Sequence, residues 1–186
     1  MMKFTISGLL LLLFSSCQLI KIKPPSEPLK GFYSYYDKTK KDYPNLLINT
    51  DSISNICVLE YSVEPKVYII NALQLKECLN SCNDAIVYIW DPHCPSDQCV
   101  PPNLLQAFCN ENKADLFVVA EYYDGKELVQ YYDIEKPIFG IDTKYYKSDL
   151  IKKYTTLFEN DLGVYDNESG RILLFENGNY LGRIRI

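Results

Sequence analysis

Histidine is almost missing from this chain: His93 is the only one in 186 residues. Chemistry that needs two imidazoles, such as the paired-histidine zinc-protease motif, is thereby excluded, and a serine triad has no other histidine to use. No Gly-x-Ser-x-Gly turn and no glycine-rich phosphate loop occurs. An excess of positive charge is missing too. Nineteen Lys and Arg stand against 24 Asp and Glu, a formal net charge of −5, and a nucleic-acid partner is not expected because phosphate binding needs a basic surface. Nor is there a run of about 20 apolar residues, the length a membrane-spanning helix requires. Hydrophobic residues at 47% and charged residues at 23% are values of a folded globular domain, so disorder is not expected beyond the amino-terminal segment.

What is present begins at the amino end. Met1-Met2-Lys3 brings one positive charge, Phe4 to Phe14 is apolar, and the small pair Ser15-Ser16 precedes Cys17. This three-part layout is that of a secretory leader over residues 1–16. Phe14-Ser15-Ser16-Cys17 resembles the lipobox of bacterial lipoproteins. The resemblance implies that Cys17 is lipidated, becomes the first residue of the mature chain and anchors it in the bilayer, each buried methylene contributing about 0.8 kcal/mol. An ordinary leader with a cysteine at its cleavage point is the alternative. Residues 17–31 read as a lipidated tether with three prolines and three lysines. Lys21-Ile22-Lys23, with no acidic patch, points to the periplasmic side of a cell envelope.

The remaining cysteines number six: Cys57, Cys78, Cys82, Cys94, Cys99 and Cys109. An even count in an exported chain permits disulfides, because compartments outside the inner membrane are oxidising. Cys78 and Cys82 share the apolar face of an expected helix with Ala72, Leu75 and Leu79, so burial as free thiols is the expectation for these two. The sixteen tyrosines have no regular spacing and read as packing residues with wet hydroxyls.

Periodicity supplies the elements. Strands are expected at Cys57 to Val63, Lys66 to Ile70, Ala85 to Trp90, Leu116 to Glu121 and Pro137 to Asp142. Helices are expected at Ala72 to Cys82, Pro101 to Asn112, Lys126 to Tyr132 and from Ser148 to Leu162, with Gly163 as the stop. Leu104, Leu105, Phe108 and Cys109 form the apolar face of the second helix. Leu150, Ile151, Tyr154, Leu157, Phe158 and Leu162 form a stripe on the last one. Arg171 to Glu176 and Tyr180 to Ile186 are strands joined by Asn177-Gly178, a two-residue hairpin signal. Leu174 is expected in a central strand beneath the last helix. The sum is an α/β domain, residues 32–186, with a mainly parallel central sheet, helices on both faces and a carboxyl-terminal β-hairpin edge. Residues 32–65 are its amino-terminal extension, an irregular cap or short helical region.

Trp90-Asp91-Pro92-His93-Cys94-Pro95 follows a buried strand, and helix, strand, helix, strand and hairpin come after it. That order resembles the thioredoxin-like fold, closest to the membrane-anchored thioredoxin-like proteins of bacterial envelopes, in which Trp lies four residues before the first active-site Cys. The resemblance covers roughly Lys66 to Ile186. It implies thiol–disulfide exchange on exported proteins, with Cys94 attacking and Cys99 resolving, and Trp90, His93, Pro95 and Asp97 beside them. The family motif has two residues between its cysteines; here there are four, and Asp97 holds the usual resolving position. Ser169-Gly170 stands where the family places a proline facing the site.

If a helix began at Pro95, the two cysteines would lie about 140° apart around it and would not pair. Pairing therefore requires a loop, which Pro101-Pro102 permits by starting the helix later. A redox dithiol, a structural disulfide and a metal site on His93, Cys94, Asp97 and Cys99 all remain open on these residues. The first two lead, and neither a cofactor nor a metal is expected. The alternative to an exchange enzyme is a non-catalytic binding or structural lipoprotein that keeps the fold with a structural Cys94–Cys99 bond.

Overall fold

Seven consecutive residues from Asp84 to Trp90 form the strand on which the rest is built, and all but the first are buried. A strand apolar on both sides has to be covered on both sides. Ala85, Val87 and Ile89 point into one core layer, while Ile86, Tyr88 and Trp90 point into the other. The computed structural model describes residues 32–94, 99–130, 132–166 and 168–184. The expected leader, Cys17, the tether, Pro95 and Asp97 lie outside the described residues.

In chain order the elements are α1 (Tyr36–Asp42), β1 (Leu47–Asn49), a 3-10 turn (Ile56–Val58), β2 (Val67–Ile70), α2 (Ala72–Leu79) and β3 (Asp84–Trp90). Then come α3 (Pro102–Asn112), β4 (Asp115–Ala120), α4 (Gly125–Leu128), β5 (Ile138–Ile141), α5 (Ile151–Leu162), β6 (Ile172–Glu176) and β7 (Asn179–Ile184). The strands form one sheet in the order β1-β2-β5-β4-β3-β6-β7. Pairing is parallel from β1 through to β3, and antiparallel from β3 to β6 and from β6 to β7. The α/β class, the mainly parallel sheet, the helices on both faces and the hairpin edge are all as expected, and the whole is consistent with a thioredoxin-like arrangement.

One face of the sheet is covered by α2 and α5. Asn71 caps α2 by accepting the Gln74 amide at 3.1 Å, and the Gln74 side chain returns the bond to the Asn71 amide at 3.0 Å. This reciprocal box fixes the start of the helix. Ala72, Leu75, Cys78 and Leu79 then meet Tyr154, Phe158 and Leu162 of α5 in the core. Gly163 ends α5 with φ 94°, a conformation that costs other residues a steric penalty. The opposite face is covered by α3, whose Leu105 and Cys109 pack on Leu116, Val118 and Ala120 of β4.

Several sequence expectations are corrected. Cys57 to Val63 is not a strand: both edges of β2 are taken, by β1 and β5, so this segment has no ladder to join. On α3 only Leu105 and Cys109 of the expected face are buried, one turn apart, while Leu104 and Phe108 are exposed. Of the stripe expected on the last helix, Leu150 lies just ahead of α5, and both it and Leu157 are exposed. Leu174 belongs to the α3 side; its neighbours Leu173 and Phe175 lie under α5 instead. Asn177 and Gly178 both have positive φ, 50° and 76°, as the tightest hairpin turn requires.

Candidate functional site

The carboxyl ends of β3 and β4 lie side by side, where parallel strands of α/β sheets present their loops. Beyond Trp90 the chain turns at once. The Asp91 carboxylate accepts the His93 amide at 2.9 Å, and the Asp91 carbonyl accepts the Cys94 amide at 3.2 Å. An aspartate bonded to the amide two residues on holds a turn without help from the sheet. Cys94 is thereby delivered just off the strand end, and it is joined to Cys99 in a disulfide with Cα atoms 6.1 Å apart. The far end of the loop is tied to the core, since the Tyr88 hydroxyl donates to the Val100 carbonyl at 2.9 Å. Pro101 and Pro102 then start α3, and the pairing of Cys94 with Cys99 lies wholly ahead of that helix.

The other expected site residues have different fates. Trp90 is buried in the α3 layer, edge-on to Tyr132 with ring centres 4.8 Å apart, so it supports the site from below and does not line it. His93 projects sideways, its Nδ1 3.8 Å from an Asp124 oxygen and its ring 6.0 Å from that of Tyr122. Pro95 and Asp97 are outside the described residues. Among the described residues no group of three His, Cys, Asp or Glu side chains is placed to hold a metal ion. With Cys94 and Cys99 oxidised to a disulfide, neither sulfur is a thiolate ligand.

Sequence reasoning missed a charged pair beside this loop. Glu121 follows β4, and its amide donates to the Trp90 carbonyl at 2.9 Å. Its carboxylate is buried, paired with Arg171 and bonded by the Thr155 hydroxyl at 3.2 Å, while its carbonyl accepts the Tyr154 hydroxyl. Arg171 also reaches the Ile89 carbonyl at 3.4 Å. Burial raises the Glu121 pKa above the ordinary carboxylate value, and Arg171 offsets only part of that rise. A Glu ending an apolar run was visible in the sequence. Its partner, fifty positions away, was legible only once β6 had been set beside β3.

The remaining sulfur chemistry is elsewhere. Cys78 is buried as expected, but bonded to Cys57 with Cα atoms 5.3 Å apart, which corrects its reading as a free core thiol. Cys82 and Cys109 are free, and burial pushes both thiols up to about 11, keeping them protonated near neutrality. Among the described cysteines, Cys94 and Cys99 are the pair that lies at the carboxyl ends of the parallel strands. A scan against models of known protein families, a search of curated proteins and a search of solved structures found no match.

Proposed function

We propose that this chain is an envelope lipoprotein, held to the bilayer through acylated Cys17 and facing the periplasm, whose thioredoxin-like domain exchanges thiols and disulfides with exported proteins. The observation that carries the redox part is the Cys94–Cys99 disulfide at the carboxyl end of β3, one turn beyond the buried strand. The lipobox-like Phe14-Ser15-Ser16-Cys17 carries the anchoring part. A substrate thiolate attacks one sulfur of the pair and forms a mixed disulfide, and the other sulfur departs as a thiolate. A second substrate thiolate then attacks its own chain's sulfur in that mixed bond. Two electrons pass to the Cys94–Cys99 pair, which leaves as a dithiol, and the substrate leaves as a disulfide.

A structural cross-link with no exchange is the second reading, and the start of α3 at Pro102 favours it. A cysteine several residues ahead of its helix gains little from the partial positive charge concentrated at the helix start. The two readings separate on asymmetry. Exchange is reversible: in the opposite direction the Cys94 thiolate attacks a substrate disulfide and expels one substrate thiolate, and the Cys99 thiolate then displaces the other and re-forms the pair. In full-length protein produced in a bacterial envelope, Cys99→Ser should therefore trap mixed disulfides with other proteins and Cys94→Ser far fewer. Metabolic lipid labelling in the same cells should vanish with Cys17→Ala. Equal destabilisation by both loop substitutions with no trapped partner would leave only the structural cross-link, and lipid labelling that survives Cys17→Ala would remove the anchor.

A further inference from the structure

We propose that the face made by Phe32, Leu150 and Leu157, with Lys152 and Lys153 at its rim, rests on an anionic lipid bilayer. The inference deepens the lipoprotein reading and rests on it. Phe32, Leu150 and Leu157 are 62%, 44% and 37% exposed, and together they line an open groove along the outer side of α5. Scattered exposed leucines need no explanation, but clustered ones beside cations mark an interaction surface. Among the described residues four charged side chains line this groove: Lys152, Lys153 and Arg171 against Glu121, with Arg171 already paired to Glu121. The two lysines are therefore a local positive excess on a chain whose formal net charge is −5.

The covalent path of the chain selects the occupant. The Ile151 amide donates to the Phe32 carbonyl at 3.0 Å, and the Ser34 amide donates to the Asp149 carbonyl at 2.9 Å. Tyr33 bridges Leu150 in antiparallel fashion. The described domain is thus joined to everything before it at the groove itself. Residues 18–31 separate Phe32 from Cys17. The covalent limit on that separation is about 50 Å, the length of such a stretch fully extended. An acylated Cys17 therefore holds the chain's entry point, and with it this face, nearer the membrane on average than the faces opposite. Lys21, Lys23 and Lys30 of the same segment suit the same anionic surface. Apolar side chains between lysines are the pattern of a surface that lies on a bilayer without crossing it.

The test uses the full mature protein with its native anchor, in a Cys82→Ala background, in phosphatidylethanolamine–phosphatidylglycerol vesicles and in detergent. Nitroxide labels are placed at Leu157→Cys, at Leu150→Cys as an independent second position, and at Val63→Cys on a surface away from the groove. Vesicle flotation and the mass of the mature chain are read on the same samples. In vesicles the labels at 150 and 157 should be shielded from a water-soluble nickel chelate and open to dissolved oxygen, with the label at 63 behaving oppositely. Lys152→Glu with Lys153→Glu should return the 157 label to water while the protein still floats, since each lysine near an anionic surface strengthens attachment about fivefold. Labels that stay in water on a floating, lipid-bearing chain overturn the docking and leave the anchor standing. A chain with no added lipid mass that still floats with buried labels keeps the docking and removes the anchor; one that neither carries lipid nor floats removes both. Dipolar broadening between labels would assign the face to a second copy, and shielding already complete in a chain made without its leader, in buffer with neither detergent nor vesicles, would assign it to residues 18–31. Either result overturns the bilayer.

Discussion

Glu121 shows how one side chain is pulled in two directions. Burial disfavours its charged form, while Arg171 and Thr155 favour it, and burial is the larger effect. A carboxylate whose folded pKa lies above its unfolded value stabilises the fold fully below the unfolded pKa, near 4.3, and loses that contribution as pH rises through the folded value. Glu121→Gln removes the titration and keeps the shape. We expect the stability of the parent chain, relative to Glu121→Gln, to fall as pH is raised upward from about 4. Urea midpoints of the two proteins measured from pH 3 to 8 check this. Were the parent to gain on the variant over that range, the ion pair with Arg171 would outweigh burial and the carboxylate would be held by its partner.

At the scale of elements, sequence periodicity found β2 to β7 and α2, α3 and α5, because long apolar runs and punctuation such as Pro101-Pro102 at a helix start, Gly163 at a helix stop and Asn177-Gly178 at a hairpin are local signals. It erred where a face had to be chosen. On a short strand in a sheet covered on both faces both sides are apolar, so Leu173 and Leu174 look equivalent in sequence, and only the register of β6 against β3 places Leu173 under α5. Leu173→Ala should therefore cost about 2 to 5 kcal/mol, the usual range for a fully buried leucine, and Leu174→Ala clearly less. Chemical unfolding of both variants tests the register directly, and a reversed order would mean that β6 is turned over. Of the candidate site, the loop and its two cysteines were legible because the Trp90-to-Cys94 spacing is local. Glu121, Asp124 and Arg171 were not, because strand pairing and loop packing, which no short window contains, bring them to the strand ends. The Cys57–Cys78 bond escaped for the same reason: Cys57 lies in a segment whose apparent strand pattern has no vacant sheet edge beside it.

For the whole molecule, that bond clamps the irregular stretch before β2 to the last turn of α2. Closing a loop of this size removes unfolded-state freedom equivalent to about 3 kcal/mol, so Cys57→Ala should lower the unfolding free energy by about that amount. Adding reductant should erase most of the difference between variant and parent. A gap that persists under full reduction would trace the loss to packing and not to the cross-link. The strand order has a further consequence, for the sequence of events in assembly. β1 and β2 are made first, yet they join the sheet only through β5, whose Ile138 is the partner of Val67. A chain delivered amino end first therefore carries an open parallel edge, with Val67 and Ile69 uncovered, until more than two thirds of it has emerged. Contacts so distant along the chain form slowly, and an unpaired edge is a template for the wrong neighbour in the meantime. Nucleation is expected in the half made of β3, β4 and β6, with the amino-terminal strands docking last onto a β5 that already lies beside β4.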